Sequence, residues 1–237
     1  MGGNKTLICI FPCVPLRAEP NDRSEQVSQI LYGELVIKLE DCDGNWIKVS
    51  SLEDSYLGFA DPRHFQIHNP DIERQLVFKP TNWNNGVYSH LLPVGSYVSL
   101  NDFVELGASP NSLSEAASTF LGTPYHWGGK TQHGIDCSGL VQICARLMGI
   151  CLKRDAADQV EQGVEVEWEG RSANDLAFFN NNTGSITHVG ILVSDDKIIH
   201  ASGEVRIDGL TQKGIIHSET SGLTHTLSSI RRISPQT

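Results

Sequence analysis

The sequence predicts an α+β chain in two parts, a small all-β barrel followed by helices and then a strand meander. Three observations carry that prediction. Residues 7–67 break into short apolar runs separated by turn chemistry. Two helix starts with capping residues follow from about residue 109. Strand-like runs then occupy most of the remainder, which is the ordering of an α+β unit rather than an alternating α/β one.

Each element has its own signal. "LICIFPCVPLR" reads as a first strand, "AEPNDRSE" as a polar loop, "LYGELVIKLE" as a second strand, "DCDG" as a turn and "NWIKVS" as a third strand. "EDSYLGFADPRHF" adds an aromatic strand and a closing Asp-Pro turn. Alternation in Leu35–Leu39 and in Trp46–Val49 predicts half-buried antiparallel strands. These runs imply a barrel domain over 1–68. Residues 69–108 hold further strand pieces, an Asn85-Gly86 turn and a Pro-Val-Gly-Ser turn, and read equally as a linker or as an incomplete second unit.

The pattern changes over 109–237. Ser112 with Glu115 three residues on is a capping box, followed by an apolar face of Leu113, Ala116, Ala117, Phe120 and Leu121 that Gly122 ends. The Gly-rich loop "GTPYHWGGKTQHG" leads into a helix starting at Asp136–Cys137, with an apolar stripe through Leu140, Val141, Ile143, Cys144, Leu147 and Met148 and Gly149 as its stop. "RDAADQVEQG" reads as a short helix. "DLAFF", "THVGILV", "KIIHAS", "GIIHS" and "SSIRRIS" read as strands.

Composition narrows the class. Of 237 residues 39% are hydrophobic and 19% charged, which fits one or two globular domains. A formal charge of −10 argues against nucleic acid or anionic wall polymer as a non-specific partner, because both depend on Lys and Arg. No apolar run is long enough for a membrane span, and the N-terminal Leu7–Phe11 run is too short for a secretory leader. "MGGNKT" fits the loose myristoylation pattern, a motif too weak to carry a membrane anchor by itself. The six cysteines form neither a CxxC pair nor a disulfide framework, so reduced thiols are expected.

Cys137 is the residue that asks for chemistry. If Asp136 caps its helix, the thiol sits where unpaired N–H groups and the dipole stabilise a thiolate and can receive an oxyanion. From position alone, nucleophile and core filler both stand. A nucleophile also needs an imidazole. Of nine histidines, His64, His68, His90, His217 and His225 read as solvated, and His126 and His133 flank the Gly-rich loop. His188 and His200 lie among apolar strand residues, as core histidines or as residues aimed at a partner. An odd-length loop between their strands puts both on one face, whereas a two-residue Asp195-Asp196 turn separates them. Even with the odd loop the expected offset is four residues, about 13 Å, which leaves direct contact open.

At this point the stretches "GTPYHWGGKTQHGIDCSGLVQ", "DLAFFNNNTGSITHVGILV" and "IIHASG" resemble, in this order, the NlpC/P60 family of papain-like cysteine peptidases, over residues 110–235. "RAEP", "YGE", "NWIKV" and "DSYLGFADP" resemble a bacterial SH3-like domain. The resemblance implies helices packed on an antiparallel sheet, with Cys137 as nucleophile, His188 as general base and His200 as the orienting third member. Tyr125 then assists the oxyanion site. It also implies hydrolysis of the γ-D-glutamyl bond to a diamino acid, diaminopimelate or lysine, in peptidoglycan-derived tri- and tetrapeptides with a free N-terminal L-Ala. Such an ammonium needs carboxylate and hydroxyl partners, which Glu19, Tyr56 and Asp136 offer, with Glu34 competing for the place of Glu19. Ser138 binds peptide or carboxylate groups. Arg154 is either a partner for the glutamyl α-carboxylate or a solvated charge before a helix. The expectation is a cytoplasmic recycling enzyme with no metal or cofactor and no nucleic-acid or membrane partner. An exported wall hydrolase, an acyltransferase and a binding module with a degenerate enzyme domain are the alternatives.

Overall fold

The computed structural model describes residues 5–84, 86, 89–102 and 104–234. The myristoylation pattern at residues 1–4 and Asn85 of the expected Asn85-Gly86 turn lie outside the described residues. The chain separates into two compact units, Met1–Ser109 and Pro110–Thr237.

The first unit is all-β. Strands β1 (Lys5–Cys9), β2 (Cys13–Arg17), β3 (Gln26–Leu31), β4 (Leu35–Cys42), β5 (Trp46–Ser51), β6 (Leu57–Ala60) and β7 (Phe65–Ile67) form one antiparallel sheet in the order β3-β2-β6-β5-β4-β1-β7. The apolar run expected as one strand is two, β1 and β2. Pro12 has no N–H to continue a ladder, and Phe11 beside it is 41% exposed. β3, unmarked in the sequence reading, pairs with β2. Along β5 alternate residues Ile47, Val49 and Ser51 are buried, as expected of a half-buried strand. β4 loses its alternation at Leu39, because Lys38 faces Val49 while Glu40 faces Lys48. Leu39 is thus the extra residue of a bulge and turns outward, 40% exposed.

Leu16, Ile30, Val36, Ile47 and Ala60 are among the residues that fill this unit's core. Four more strands follow, β8 (Arg74–Leu76), β9 (Thr81–Asn84), β10 (Ser89–Leu92) and β11 (Tyr97–Ser99), paired as β9–β10 and β8–β11 over Val77, Leu92 and Val98. Tyr97 N–H donates to Tyr32 O at 2.8 Å, which ties them to the β3–β4 turn.

The second unit is sheet-dominated. It contains α1 (Leu113–Ser118), β12 (Lys130–Thr131), β13 (Gly134–Ile135), α2 (Cys137–Leu147), α3 (Ala156–Gln159), β14 (Val164–Glu165), β15 (Leu176–Asn180), β16 (Ile186–Leu192), β17 (Lys197–Ser202), β18 (Glu204–Thr211), β19 (Gly214–Ile216) and β20 (Leu223–Arg232). The strands run β14-β20-β15-β16-β17-β18-β19, and β19 also pairs with β20, so β15 to β20 close into a ring. Ala177, Phe179, Leu192, Ile198, Leu210 and Ile215 pack together on it.

α1 starts as its capping box predicts, with Ser112 Oγ accepting from Glu115 N–H at 3.2 Å. Glu115 Oε2 accepts from Asn111 N–H at 2.8 Å rather than from the N–H of the cap residue. The helix ends at Ser118, and Leu121, expected on its buried face, is 48% exposed. α2 is buried on every side, not along one stripe. It ends in a Schellman turn: Gly149 at φ +73° donates to Arg146 O, and Ile150 N–H reaches Ala145 O, both at 2.9 Å.

Candidate active site

The site begins at the first turn of α2. Asp136, in extended backbone, caps the helix, and its Oδ1 accepts from Gly139 N–H at 2.7 Å. A side chain at Gly139 would place its Cβ 2.3 Å from Gly129 O, so the Gly-rich loop lies against this helix start only because the position is bare. The loop donates Gly128 N–H to Asp136 Oδ2 at 2.8 Å. Arg154, from the segment between α2 and α3, completes the carboxylate's partners. Its Nη2 lies 2.6 Å from Asp136 Oδ2, and its Nη1 3.1 Å from Oδ1 and 2.8 Å from Ser138 Oγ. Arg154 is 1% exposed, which removes the solvated-charge reading. Gln159 Nε2 donates to Ser138 O at 3.0 Å. Asp136, Ser138 and Arg154 therefore form one buried network under Cys137.

Cys137 is itself buried and receives N–H donors from Val189 on β16 and from Ser138. Burial pushes its thiol up to about 11, helped by the Asp136 carboxylate, and these N–H groups and the Arg154 guanidinium only partly offset that rise. The thiolate-stabilising address expected from the helix start is thus outweighed, and the resting group is a thiol. Cys144, two turns deeper, is raised further by burial alone. No two of the six cysteines are joined in a disulfide.

Val189 follows His188, so the strand that reaches the thiol also carries the imidazole. In the β16–β17 hairpin Ile191 faces Ile199 and Leu192 faces Ile198, so an odd number of residues, five, lies between the last facing pair. That parity puts His188 and His200 on one face. Continued register sets His200 across from Gly190, an offset of two residues from His188 rather than the expected four. The rings meet: His188 Nε2 is 2.8 Å from His200 Nδ1. His200 Nε2 is in turn 3.0 Å from Asp208 Oδ2 on β18. Burial, then the neighbouring imidazoles and Arg206, lowers His188 well below the ordinary histidine range. Burial brings His200 to about 4 despite its bond to Asp208.

Two residues of this cluster escape a reading of the sequence. Asp208 sits in "EVRIDGLT", and only the pairing of β18 with β17 brings its buried carboxylate to His200. His225, expected to be solvated, is half-buried and stacks on His188, with ring centroids 4.2 Å apart and planes 24° apart. A cavity of about 320 Å³ opens there, lined by Tyr125, Thr187, His188, Ser202, Gly203 and His225. Tyr125 is held by its N–H to Gly203 O at 2.8 Å, and burial, then Cys137 and Asp136, keeps its phenol protonated. Glu19 and Tyr56 belong to the first unit. Glu19 is exposed in the β2–β3 loop and accepts from Asn21 at 3.4 Å, Tyr56 packs half-buried on the core, and Glu34 is buried. Among the described residues no group of three or more His, Cys, Asp or Glu is arranged to hold a metal ion, and no helix is long and apolar enough to cross a membrane.

Comparison with known proteins finds matches in both units. Residues 122–223 match the profile of the NlpC/P60 family, and residues 16–64 that of the bacterial dipeptidyl-peptidase Sh3 domain. Among curated relatives, the γ-D-glutamyl-L-lysine dipeptidyl-peptidase of Bacillus subtilis is 34% identical over 110 residues, 44% of this chain and 37% of that protein. A probable endopeptidase of Haemophilus influenzae is 37% identical over 108 residues, 45% of this chain and 62% of the relative. The matches therefore span between about a third and two thirds of these relatives. Among solved structures, an NlpC/P60 family protein from Bacillus cereus superposes with a TM-score of 0.77 at 21% identity, over 96% of this chain and 99% of the other, which establishes the fold.

Proposed function

From an NlpC/P60 domain at residues 122–223 behind a bacterial SH3 domain at residues 16–64, we propose that the chain is a cysteine peptidase. The proposed reaction is hydrolysis of the γ-D-glutamyl bond to a diamino acid in peptidoglycan-derived peptides. One observation carries the reading: the Cys137 sulfur takes an N–H from Val189, the residue after His188, and His188 is held by His200. A buried structural cysteine has no use for an imidazole on the strand that reaches it, backed by a second imidazole on the next strand.

The chemistry follows from the resting protonation states. With the thiol neutral and His188 neutral, attack is general-base catalysed: the Cys137 proton passes to His188 as sulfur bonds to the γ-carbonyl carbon. The N–H groups at the start of α2 and the Tyr125 hydroxyl, protonated for that purpose, receive the oxyanion. The amine leaves with the proton from His188, and a thioester remains. His188 then deprotonates a water, which adds to the acyl carbon and returns Cys137 as a thiol. The cavity beside His188, with His225, Thr187 and Ser202 on its wall, is placed to hold the departing amino acid. Asp136 and Arg154 neutralise each other, so their contribution is to fix the helix start and aim Ser138 at the bound peptide.

Free peptides in the cytoplasm, rather than intact wall, are the proposed substrates, since a chain of formal charge −10 is repelled by anionic polymers. The relative named as a γ-D-glutamyl-L-lysine dipeptidyl-peptidase supports the bond type. The test compares L-Ala-γ-D-Glu-diaminopimelate, its N-acetylated form and purified sacculi. Turnover of the free-amine peptide alone is expected. Equal rates on the acetylated peptide remove the amine requirement, and activity confined to sacculi moves the enzyme to the wall.

A further inference from the structure

His200 stands between two groups of different hydrogen-bonding character, and that fixes its protons. On one side its Nε2 is 3.0 Å from Asp208 Oδ2, and on the other its Nδ1 is 2.8 Å from His188 Nε2. Asp208 is 1% exposed and firmly held: Ser218 N–H donates to Oδ1 and Arg206 Nε–H to Oδ2, both at 2.9 Å. Burial acts to raise its carboxyl, but the donors from Ser218, Arg206 and His200 outweigh burial and keep it ionised.

A carboxylate offers only acceptors, so the proton shared with His200 belongs to the imidazole's Nε2. Neutral His200 then has a lone pair at Nδ1, and the 2.8 Å contact requires the N–H of His188 Nε2. His188, also neutral, is left with Nδ1 as its basic nitrogen. We propose that Asp208 is a positioning residue that sets this tautomer and so selects which nitrogen of His188 can take a proton from Cys137. Without it, His200 has a second tautomer that donates from Nδ1 to His188 Nε2. His188 then carries its proton on Nδ1 and cannot act as the base.

The other groups facing the pair do not supply a substitute acceptor. Arg206, on β18, has no lone pair and is engaged by Asp208 and by Ser202 O. His225, on β20, stacks face to face on His188 and bonds through Nδ1 to Thr224 Oγ1 at 2.9 Å. Tyr125 and Cys137 are held protonated. Asp208 is the anion that reaches His200, and its geometry acts through that ring rather than on substrate.

The tautomer assignment needs no substrate, and only the kinetic arm rests on the function proposed above. Nitrogen-15 NMR of the wild-type chain labelled at histidine is expected to show His188 and His200 both protonated on Nε2 at neutral pH. A His200 protonated on Nδ1 overturns the proposal, whether or not any variant folds. In folded Asp208→Asn, kcat is expected to fall at least about a hundredfold with KM nearly unchanged, as when a triad's tautomer is released. The acid limb of kcat moves to lower pH, because Asp208 favours protonated His200. Asp208→Glu restores part of both. A folded Asp208→Asn with wild-type kcat and acid limb refutes the role. If the wild type itself has no peptidase activity, the proposed function fails while the NMR result still decides this inference.

Discussion

Gly190→Ala tests the strand geometry on which the histidine pair depends. An added Cβ at Gly190 would lie 2.9 Å from His200 Cβ and 2.7 Å from Ile198 Cδ1. Ordinary contact begins near 3.4 Å, so β16 and β17 must part by about 0.5 Å at His200. Transmitted to the rings, that shift lengthens the 2.8 Å His188–His200 bond to about 3.3 Å, beyond the well-formed range. Overpacking of this kind costs about 1–3 kcal/mol, which lowers the Tm by roughly 2–12 °C. Half an ångström at His188, the proposed base, is expected to reduce kcat by about tenfold, since 1 Å can cost 10²-fold. Thermal unfolding and peptide turnover read the two effects separately. Adding Ile198→Val deletes the Cδ1 methyl but not the His200 contact, so it recovers part of the Tm and none of the rate. A Gly190→Ala protein with unchanged Tm and unchanged turnover refutes the register.

Three further outcomes are expected. Arg154→Met or Asp136→Asn leaves one buried member of the pair without its partner and costs about 3–5 kcal/mol in urea unfolding, whereas the double variant recovers much of it. Stability falls as pH drops below the unfolded histidine value of 6.5, because buried His200 resists protonation down to about 4 in the folded state. That separation of 2.5 pH units is worth about 3 kcal/mol by pH 4, with His188 adding in the same direction, and His200→Gln flattens the profile measured by denaturant midpoints. Alkylation of Cys137 by iodoacetamide, followed by mass spectrometry of its peptide, should keep accelerating up to pH about 11; a plateau near pH 7 would show a resting thiolate instead.

What could be read from the residues divides along local and non-local lines. The Asp136 cap, the position of Cys137 and the Gly149 stop depend on a few consecutive residues, so their patterns sufficed. Loop parity put His188 and His200 on one face but left their direct contact open, because the turn within "VSDDK" has no Gly to mark its centre and fix the offset. Asp208 and His225 were invisible as site residues for a different reason. They reach the imidazoles only through the pairing of β18 with β17 and the closure of the ring by β20, which no local pattern encodes. Leu39 and Pro12 show the same limit in the first unit, where a bulge and a missing N–H redirect runs that look like continuous strands. Arg154 stood open between a carboxylate partner and a solvated charge because burial of its guanidinium depends on its contact with Asp136, 18 residues earlier.

The most direct measurement is product analysis by mass spectrometry of L-Ala-γ-D-Glu-diaminopimelate incubated with wild type and with Cys137→Ala. The wild type is expected to release L-Ala-γ-D-Glu and free diaminopimelate, and the variant neither. The same products at the same rate from Cys137→Ala, or cleavage at a different bond, would overturn the proposed thiol mechanism.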